Sequence, residues 1–357
     1  MKVLFDHQLF SYQRYGGASK YFCELLFHLP RDIWKTSTLF SNNEYVKELK
    51  LFKSIHIPGP FFRGQGRLMN ELNKPYSFYR LLQRGGYDIF HQTHFETYCL
   101  PAIDNKPMVT TFHDVNFSTF NYNANLVRLQ KKSLERADKI VAVSFNTKKD
   151  LMSYFDISER KIEVIHHGIE LKDVFYSSER YTESPYILYV GTRNENKNFN
   201  RFIQAFALLN KIFPELKLVC TSLAFTTEEL SFFHKLSIDN AVMHVAADEN
   251  LMHRLYRDAE LFVFPSLYEG FGLPILEAMA AHCPIALSDT SCFPEIAKDA
   301  GAYFDPYDID SILGMMDKTI TDSMYRKKLI EKGNARVKDF SWETCARKHL
   351  ELYKTLL

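Results

Sequence analysis

Short runs of β-branched and aromatic residues alternate with longer amphipathic stretches from one end of this chain to the other, and the alternation starts afresh at its middle. No other feature restricts the fold as much, because apolar runs of strand length separated by helical periodicity belong to βα units on parallel sheets. The class is α/β. Strands are expected near Lys2 to Phe5, Thr36 to Phe40, Asp88 to His91, Met108 to Phe112, Lys139 to Val143 and Ile162 to His166. The second series comprises Tyr186 to Val190, Leu216 to Thr221, Ala241 to Val245, Leu261 to Phe264, Pro284 to Leu287 and Ala302 to Phe304. Between the two, the polar, turn-rich stretch from His167 to Pro185 carries little periodic apolar content, so a linker is placed at 168–185, between a domain at 1–167 and one at 186–340. At 357 residues the chain supplies a full core for each, and two domains imply a cleft.

The final stretch, 341–357, opens with Ser341 as a cap. It sets Trp342, Cys345, Ala346, His349, Leu352, Tyr353 and Leu356 on one helical stripe. This predicts a packing helix, with His349 in a core rather than on a ligand.

Bulk properties exclude several partners. The 44 Lys and Arg against 43 Asp and Glu leave a formal charge of +1, so no global field gathers nucleic acid. Six cysteines lie scattered with no Cys-x-x-Cys pair, which suits a reducing compartment. The start at Met1 turns polar too soon for a signal peptide, and no apolar run approaches the roughly 18 to 20 residues of a membrane span. A cytoplasmic protein is the expectation.

The segment carrying most chemistry is Tyr268-Glu-Gly-Phe-Gly-Leu-Pro-Ile-Leu-Glu277. Leu261 to Phe264 before it reads as a buried strand, and Pro274 onward reads as a helix with proline in its first turn. The unit is strand, glycine loop, helix. Such a loop lies at the carboxyl end of a parallel strand, where open α/β sheets bind ligands, and the helix N-terminus favours phosphate. Glu269 then enters from the loop and Glu277 from the helix.

A second βα turn follows the strand that ends at Gly191 and carries Arg193 and Lys197 ahead of a helix from about Asn198 to Phe213. A planar guanidinium fork beside a compact ammonium suits a diphosphate; ordinary solvated loop charges are the alternative. Gly16-Gly17, after the first strand, permits close backbone approach without being a Gly-x-Gly-x-x-Gly fingerprint. His113 ends another strand, where it would either bond a sugar hydroxyl or serve structure. His91 and His94, three apart on a strand, point to opposite faces and do not suit a shared metal. Asp308 and Asp310 precede a helical pattern and read as its caps, so no metal is expected to be required. Between Phe61 and Arg84, the basic residues Arg63, Arg67, Lys74, Arg80 and Arg84 face the single acid Glu71 among aromatics. Either a solvated helix face or a surface for membrane or an anionic acceptor fits that stretch.

The Glu269 to Glu277 segment resembles the Glu-x7-Glu motif of retaining glycosyltransferases of the GT-B fold, in particular family 4 (glycosyl transferases group 1). Phe264 to Ala281, Phe293 to Ala300, Phe304 to Asp308, Val190 to Arg193 with Lys197-Asn198, Ala137 to Ser144 and Phe340 to Trp342 extend the resemblance over essentially the whole chain. It implies two Rossmann-like domains facing each other across a cleft, with a C-terminal helix crossing back to the first. It also implies donor-diphosphate binding by Arg193 and Lys197, assisted by backbone N–H groups around Phe271, Gly272 and Leu273. Glu269 matches the glutamate at the donor sugar and Glu277 the one at the ribose. Gly16 and Gly17 match a glycine loop near donor phosphates and acceptor, and His113 a histidine reaching the sugar. Two departures stand out: His282 where the family commonly has Gly after the motif helix, and His167 where it has Asn.

The activity implied is hexosyl transfer from a nucleoside diphosphate sugar to a hydroxyl of a glycan or lipid-linked saccharide, with retention and without metal or other cofactor, in surface polysaccharide assembly. Peripheral contact with the inner face of the membrane is a further expectation. A sugar-nucleotide epimerase would convert donor without acceptor, and a non-catalytic binding protein would bind donor without transfer.

Overall fold

The computed structural model describes residues 1–59, 61–83, 85–115, 123–171 and 180–357. Arg84 and linker residues 172–179 lie outside them. The chain forms two compact units, Met1–Gly168 joined by Phe340–Leu357, and Ile169–Asp339.

The first unit carries β1 (Val3–Phe5), β2 (Trp34–Thr36), β3 (Phe40–Ser41), β4 (Ile55–His56), β5 (Ile89–Gln92), β6 (Met108–Phe112), β7 (Lys139–Ala142) and β8 (Ile162–Val164). Its main sheet is parallel in the order β2-β1-β5-β6-β7-β8. The strand expected over Thr36 to Phe40 is instead two strands in different sheets, with β3 pairing only with β4. Asn73 explains the break: its Oδ1 accepts from the N–H groups of Leu39 (2.8 Å) and Phe40 (2.9 Å), diverting them from the first ladder.

The second unit contains β9 (Tyr186–Tyr189), β10 (Lys217–Cys220), β11 (Val242–His244), β12 (Leu261–Phe264), β13 (Ile285–Ser288) and β14 (Gly301–Phe304). The order β11-β10-β9-β12-β13-β14 is again all parallel. In both sheets the chain starts on an inner strand, runs to one edge and returns to the other side of its first strand. The direction reverses between β1 and β5 and between β9 and β12, and at such a switch point the loops diverge to leave a ligand crevice. Helices cover the sheets, so β9 and β12 are apolar at every position and buried throughout. Tyr189 stacks on Phe202 at 5.6 Å, and complete burial of a ring like Phe202 contributes about 1.5–3 kcal/mol.

Local signals place the helix ends. Asp308 caps Ile309–Thr321 by accepting from Asp310 N–H, and Ser341 caps Trp342–Lys354 by accepting from Thr344 N–H. The motif helix Leu273–Ala280 ends through His282, whose φ of +58° is the left-handed conformation that Gly adopts more cheaply. Helix Trp342–Lys354 belongs to the first unit. His349 Nδ1 lies 2.8 Å from the Cys345 carbonyl, which can only accept, so Nδ1 carries the proton and Nε2 accepts from Tyr21 hydroxyl at 2.8 Å. Tyr353 hydroxyl meets His91 Nδ1 at 2.6 Å, while His91 Nε2 meets Thr111 Oγ1 at 2.9 Å. His349 is thus a core residue.

Candidate functional site

The two βα loops singled out in the second half of the sequence arise from β9 and β12, the strands that flank the switch point. After β9 the chain turns at Gly191 (φ +123°), where a side chain would strain the backbone. It passes Arg193 and the single turn Glu195–Lys197, then enters helix Phe199–Ile212 through Asn198, whose Nδ2 donates to Pro306 O at 2.7 Å. After β12 the chain runs through Glu269 and buried Phe271 to Gly272 (φ +87°), then into helix Leu273–Ala280. A Cβ on Gly272 would also lie 3.1 Å from Ile275 Cδ1.

Structure joins these loops directly. Leu267 N–H donates to Asn196 O at 2.8 Å, and Lys197 Nζ forms an ion pair with Glu269 Oε1. Ser291 fixes the Glu269 main chain from the other side, accepting from its N–H at 3.1 Å and donating to its carbonyl at 2.7 Å. Glu277, half-buried on the helix, accepts from Tyr256 hydroxyl at 3.2 Å. Two carboxylates, an ammonium and the outward N–H groups of a helix start therefore share the carboxyl edge of one sheet.

Arg193 is placed differently from expectation. Its Nε donates to Glu229 Oε1 at 2.5 Å and its Nη2 to Glu229 Oε2 at 3.2 Å. Nη2 also reaches the carbonyls of Leu223 (2.8 Å) and Ala224 (2.9 Å). The fork expected to grip two phosphate oxygens is spent on a carboxylate, because a side chain only 5% exposed needs a counter-charge. Nη1 is buried and has no hydrogen-bond partner among the described residues.

In the first unit, Gly16 and Gly17 lie beyond β1 at the start of helix Gly17–His28, where Gln13 Oε1 accepts from Ser19 N–H at 3.1 Å. Gly16 has extended backbone (φ 168°), and a Cβ there would sit 2.5 Å from Gln13 Oε1, the movable end of a side chain. His113 follows β6 with its ring edge-on to Tyr21 (5.2 Å) and His167 (5.8 Å). Its Nε2 is buried without a hydrogen-bond partner among the described residues, and burial pushes its pKa down to about 3. The imidazole is neutral at ordinary pH and so can bond a hydroxyl but cannot act as a cation.

Models of glycosyl transferases group 1 and of glycosyltransferase family 4 match residues 172–336 and 15–173. O-antigen chain mannosyltransferase B of Escherichia coli is 30% identical over 275 residues, covering 70% of each chain. The chain belongs to glycosyltransferase family 4, group 1. Serotype-specific mannosyltransferase WbdA of Escherichia coli matches this glycosyltransferase at 28% identity over 68% of the chain, which spans only 31% of WbdA. Among solved structures, Anabaena HepE in complex with UDP-glucose superposes with a TM-score of 0.79 at 18% identity, covering 99% of this chain and 100% of that one. Its two parallel-sheet units are those of the GT-B fold.

Sequence reasoning missed three groups in this glycosyltransferase. Glu229, the partner of Arg193, is also the third residue of a capping box with Thr226. The Thr-x-x-Glu pattern signals the cap, but nothing local signals the arginine 36 residues earlier. Asn196 and Ser266 flank the joined loops, and Asn196 Nδ2 and Ser266 Oγ are buried without hydrogen-bond partners among the described residues. They carry no motif of their own and emerge only from the pairing of Asn196 with Leu267.

Proposed function

We propose that this glycosyltransferase moves a hexosyl group, with retention, from a nucleoside diphosphate sugar to a hydroxyl of a glycan or lipid-linked saccharide in surface polysaccharide assembly. The observation that carries the donor assignment is the joining of the β9 and β12 loops at the switch point through Asn196–Leu267 and Lys197–Glu269. The diphosphate lies at the start of helix Leu273–Ala280 with the N–H groups around Phe271 to Leu273, near Lys197 and Arg193 Nη1. It competes for the Lys197 ammonium and so releases Glu269 toward the sugar hydroxyls. Glu277 takes the ribose; in the first unit, neutral His113 is suited to bond a substrate hydroxyl, and the Gly16-Gly17 turn belongs to the same unit.

Cations of the chain neutralise the leaving group, so no metal is needed. The bond from the anomeric carbon to the diphosphate breaks as the acceptor oxygen bonds to the same face, and the acceptor proton passes to the leaving phosphate oxygen. Glu269 supports the charge that develops on the sugar ring and forms no covalent bond. The likeness to a mannosyltransferase acting on O-antigen chains and to a fold that holds UDP-glucose supports this class, and makes a nucleoside diphosphate mannose the first donor to try.

A panel of nucleoside diphosphate hexoses tests it. One donor raises the melting temperature, and its sugar then appears in product with the donor's anomeric configuration by NMR, with or without EDTA. Inversion refutes retention, loss of transfer in EDTA refutes metal independence, and binding without transfer to any glycan acceptor leaves only a donor-binding protein.

A further inference from the structure

Tyr21, on helix Gly17–His28, is completely buried, and the hydrogen bonds that reach its hydroxyl run in one direction. His349 Nδ1 gives its proton to the Cys345 carbonyl, so His349 Nε2 accepts from Tyr21 at 2.8 Å. At the far end, Tyr353 hydroxyl has no partner but His91 Nδ1 among the described residues, at 2.6 Å. It donates there, because a buried phenol that accepted would leave its own proton unbonded. His91 Nε2 then carries the ring proton and donates to Thr111 Oγ1 at 2.9 Å, which leaves the Thr111 proton for the Tyr21 oxygen at 3.4 Å. The chain of donors thus begins and ends on helix Trp342–Lys354 and passes through Tyr21 on the way.

His113 lies against this chain. It follows β6 two residues after Thr111, and its ring stands edge-on to Tyr21 at 5.2 Å and 87°. Phe22 packs on the same imidazole at 6.1 Å. Rotation of an imidazole about χ2 is soft, and His113 Nε2 has no hydrogen-bond partner among the described residues, so its neighbours set the direction of that nitrogen. Tyr21 is itself packed on His167 at 4.7 Å and on Trp342 at 6.2 Å.

We propose that Tyr21 is a positioning residue for transfer: its hydroxyl, anchored on His349 and Thr111, fixes its ring, and that ring aims the imidazole of His113 at the substrate hydroxyl. This rests on the reading of His113 given above. Space alone does not call for a tyrosine here. Phe22 fills the neighbouring volume with a plain ring, and a buried hydroxyl costs free energy unless it is bonded. What the hydroxyl adds is a fixed position. A group that meets a reacting substrate has to be held within about 0.5 Å and roughly 10–20° of its productive geometry, and hydrogen bonds behind it supply that. Helix Trp342–Lys354 thereby acts on the reaction through His349 and Tyr353 without touching substrate.

A double-mutant cycle on the full chain tests this. Tyr21→Phe removes one oxygen and keeps the ring; kcat should fall about ten-fold or more, with donor KM and stabilisation by donor little changed. In a His113→Ala background the same change should have no further effect, since Tyr21 acts through that ring. His349→Gln, whose amide can still accept from Tyr21, should keep more turnover than His349→Leu. Near-normal kcat in Tyr21→Phe, or an equal fall in both backgrounds, would overturn the proposal. A second measurement needs no turnover: proton–nitrogen NMR correlations of the histidine rings should show His91 protonated at Nε2 and His349 at Nδ1, and Tyr21→Phe should shift the His113 signals. Opposite tautomers, or His113 signals that stay in place, would also overturn it. Unimpaired transfer in His113→Ala would refute the role of His113 and this proposal together, whereas impaired His113→Ala beside normal Tyr21→Phe would remove this proposal alone.

Discussion

Arg193 and Glu229 form a two-pronged pair, Nε to Oε1 at 2.5 Å and Nη2 to Oε2 at 3.2 Å, that spends most of the guanidinium on the protein's own carboxylate. Phe225 lies beneath the guanidinium at 4.9 Å and completes its cage. The arginine is thereby locked in orientation, with Nη1 the nitrogen that has no hydrogen-bond partner among the described residues. Such preorganisation favours a developing charge, because no reorientation is needed when that charge appears.

Glu229→Ala leaves the guanidinium buried and uncompensated, and unfolding in denaturant should show a loss of about 3 kcal/mol. Donor KM should rise and transfer should slow, with Glu229→Asp partly restoring both. Arg193→Ala should cost roughly 3 kcal/mol of transition-state stabilisation, the scale of a lost oxyanion donor. Near-normal turnover in Arg193→Ala would remove this residue from the mechanism.

Lys197, Glu269 and Glu277 separate by kinetic signature. Glu269→Gln should lower kcat with little change in donor KM, since it is assigned to the reacting sugar. Glu277→Gln should raise donor KM with kcat nearly intact, since the ribose is held alike in ground and transition states. Lys197→Ala should impair both constants. Initial-rate measurements over a donor series check all three, and an exchange of the Glu269 and Glu277 phenotypes would reverse their assignments.

Acid should destabilise the first unit. Burial lowers the pKa values of His7, His94 and His349 to about 4 and of His113 to about 3. Between those values and 6.5 the unfolded chain takes up protons that the fold refuses, so stability falls as pH drops through this window, on the order of 3 kcal/mol per histidine. Asp6 has the opposite sign: burial raises it to about 7, so its contribution is full below 3.8 and fades as pH rises through 7. Four imidazoles outweigh one carboxyl. Urea unfolding at pH 7.5, 6 and 5 should give steadily lower stability, with a shallower slope in His349→Gln; a flat wild-type profile would contradict this.

Two glycines should respond with opposite signs. A Cβ on Gly168 would lie 2.1 Å from Trp342 N and 2.4 Å from Ser341 C, atoms of backbone that cannot swing aside. Gly168→Ala should lose about 3 kcal/mol. Gly314, in helix Ile309–Thr321, has nothing within 4 Å of such a Cβ, and Gly314→Ala should gain about 0.5–1 kcal/mol. Thermal unfolding of both variants decides the pair.

What the sequence makes legible is what nearby residues encode. The caps at Asp308 and Ser341, the inward stripe of the last helix and the turn at His282 all depend on neighbours within one or two helical turns. Continuous apolar runs such as Leu261 to Phe264 mark strands buried on both faces. The separation of β2 from β3 was not legible, because the competing acceptor is Asn73, more than 30 residues away.

The sequence by itself determined two parallel α/β units, and it put Glu269, Glu277, Arg193 and Lys197 on βα loops, because strand and helix periods are local properties of the chain. Only the tertiary structure decided what those side chains touch. It paired Lys197 with Glu269, committed Arg193 to Glu229, and turned the polar face of helix Gln65–Leu82 inward. Each outcome depends on partners distant in sequence, and burial sets its energy: a charge or amide removed from water takes whatever counter-charge or hydrogen bond the packed neighbours offer.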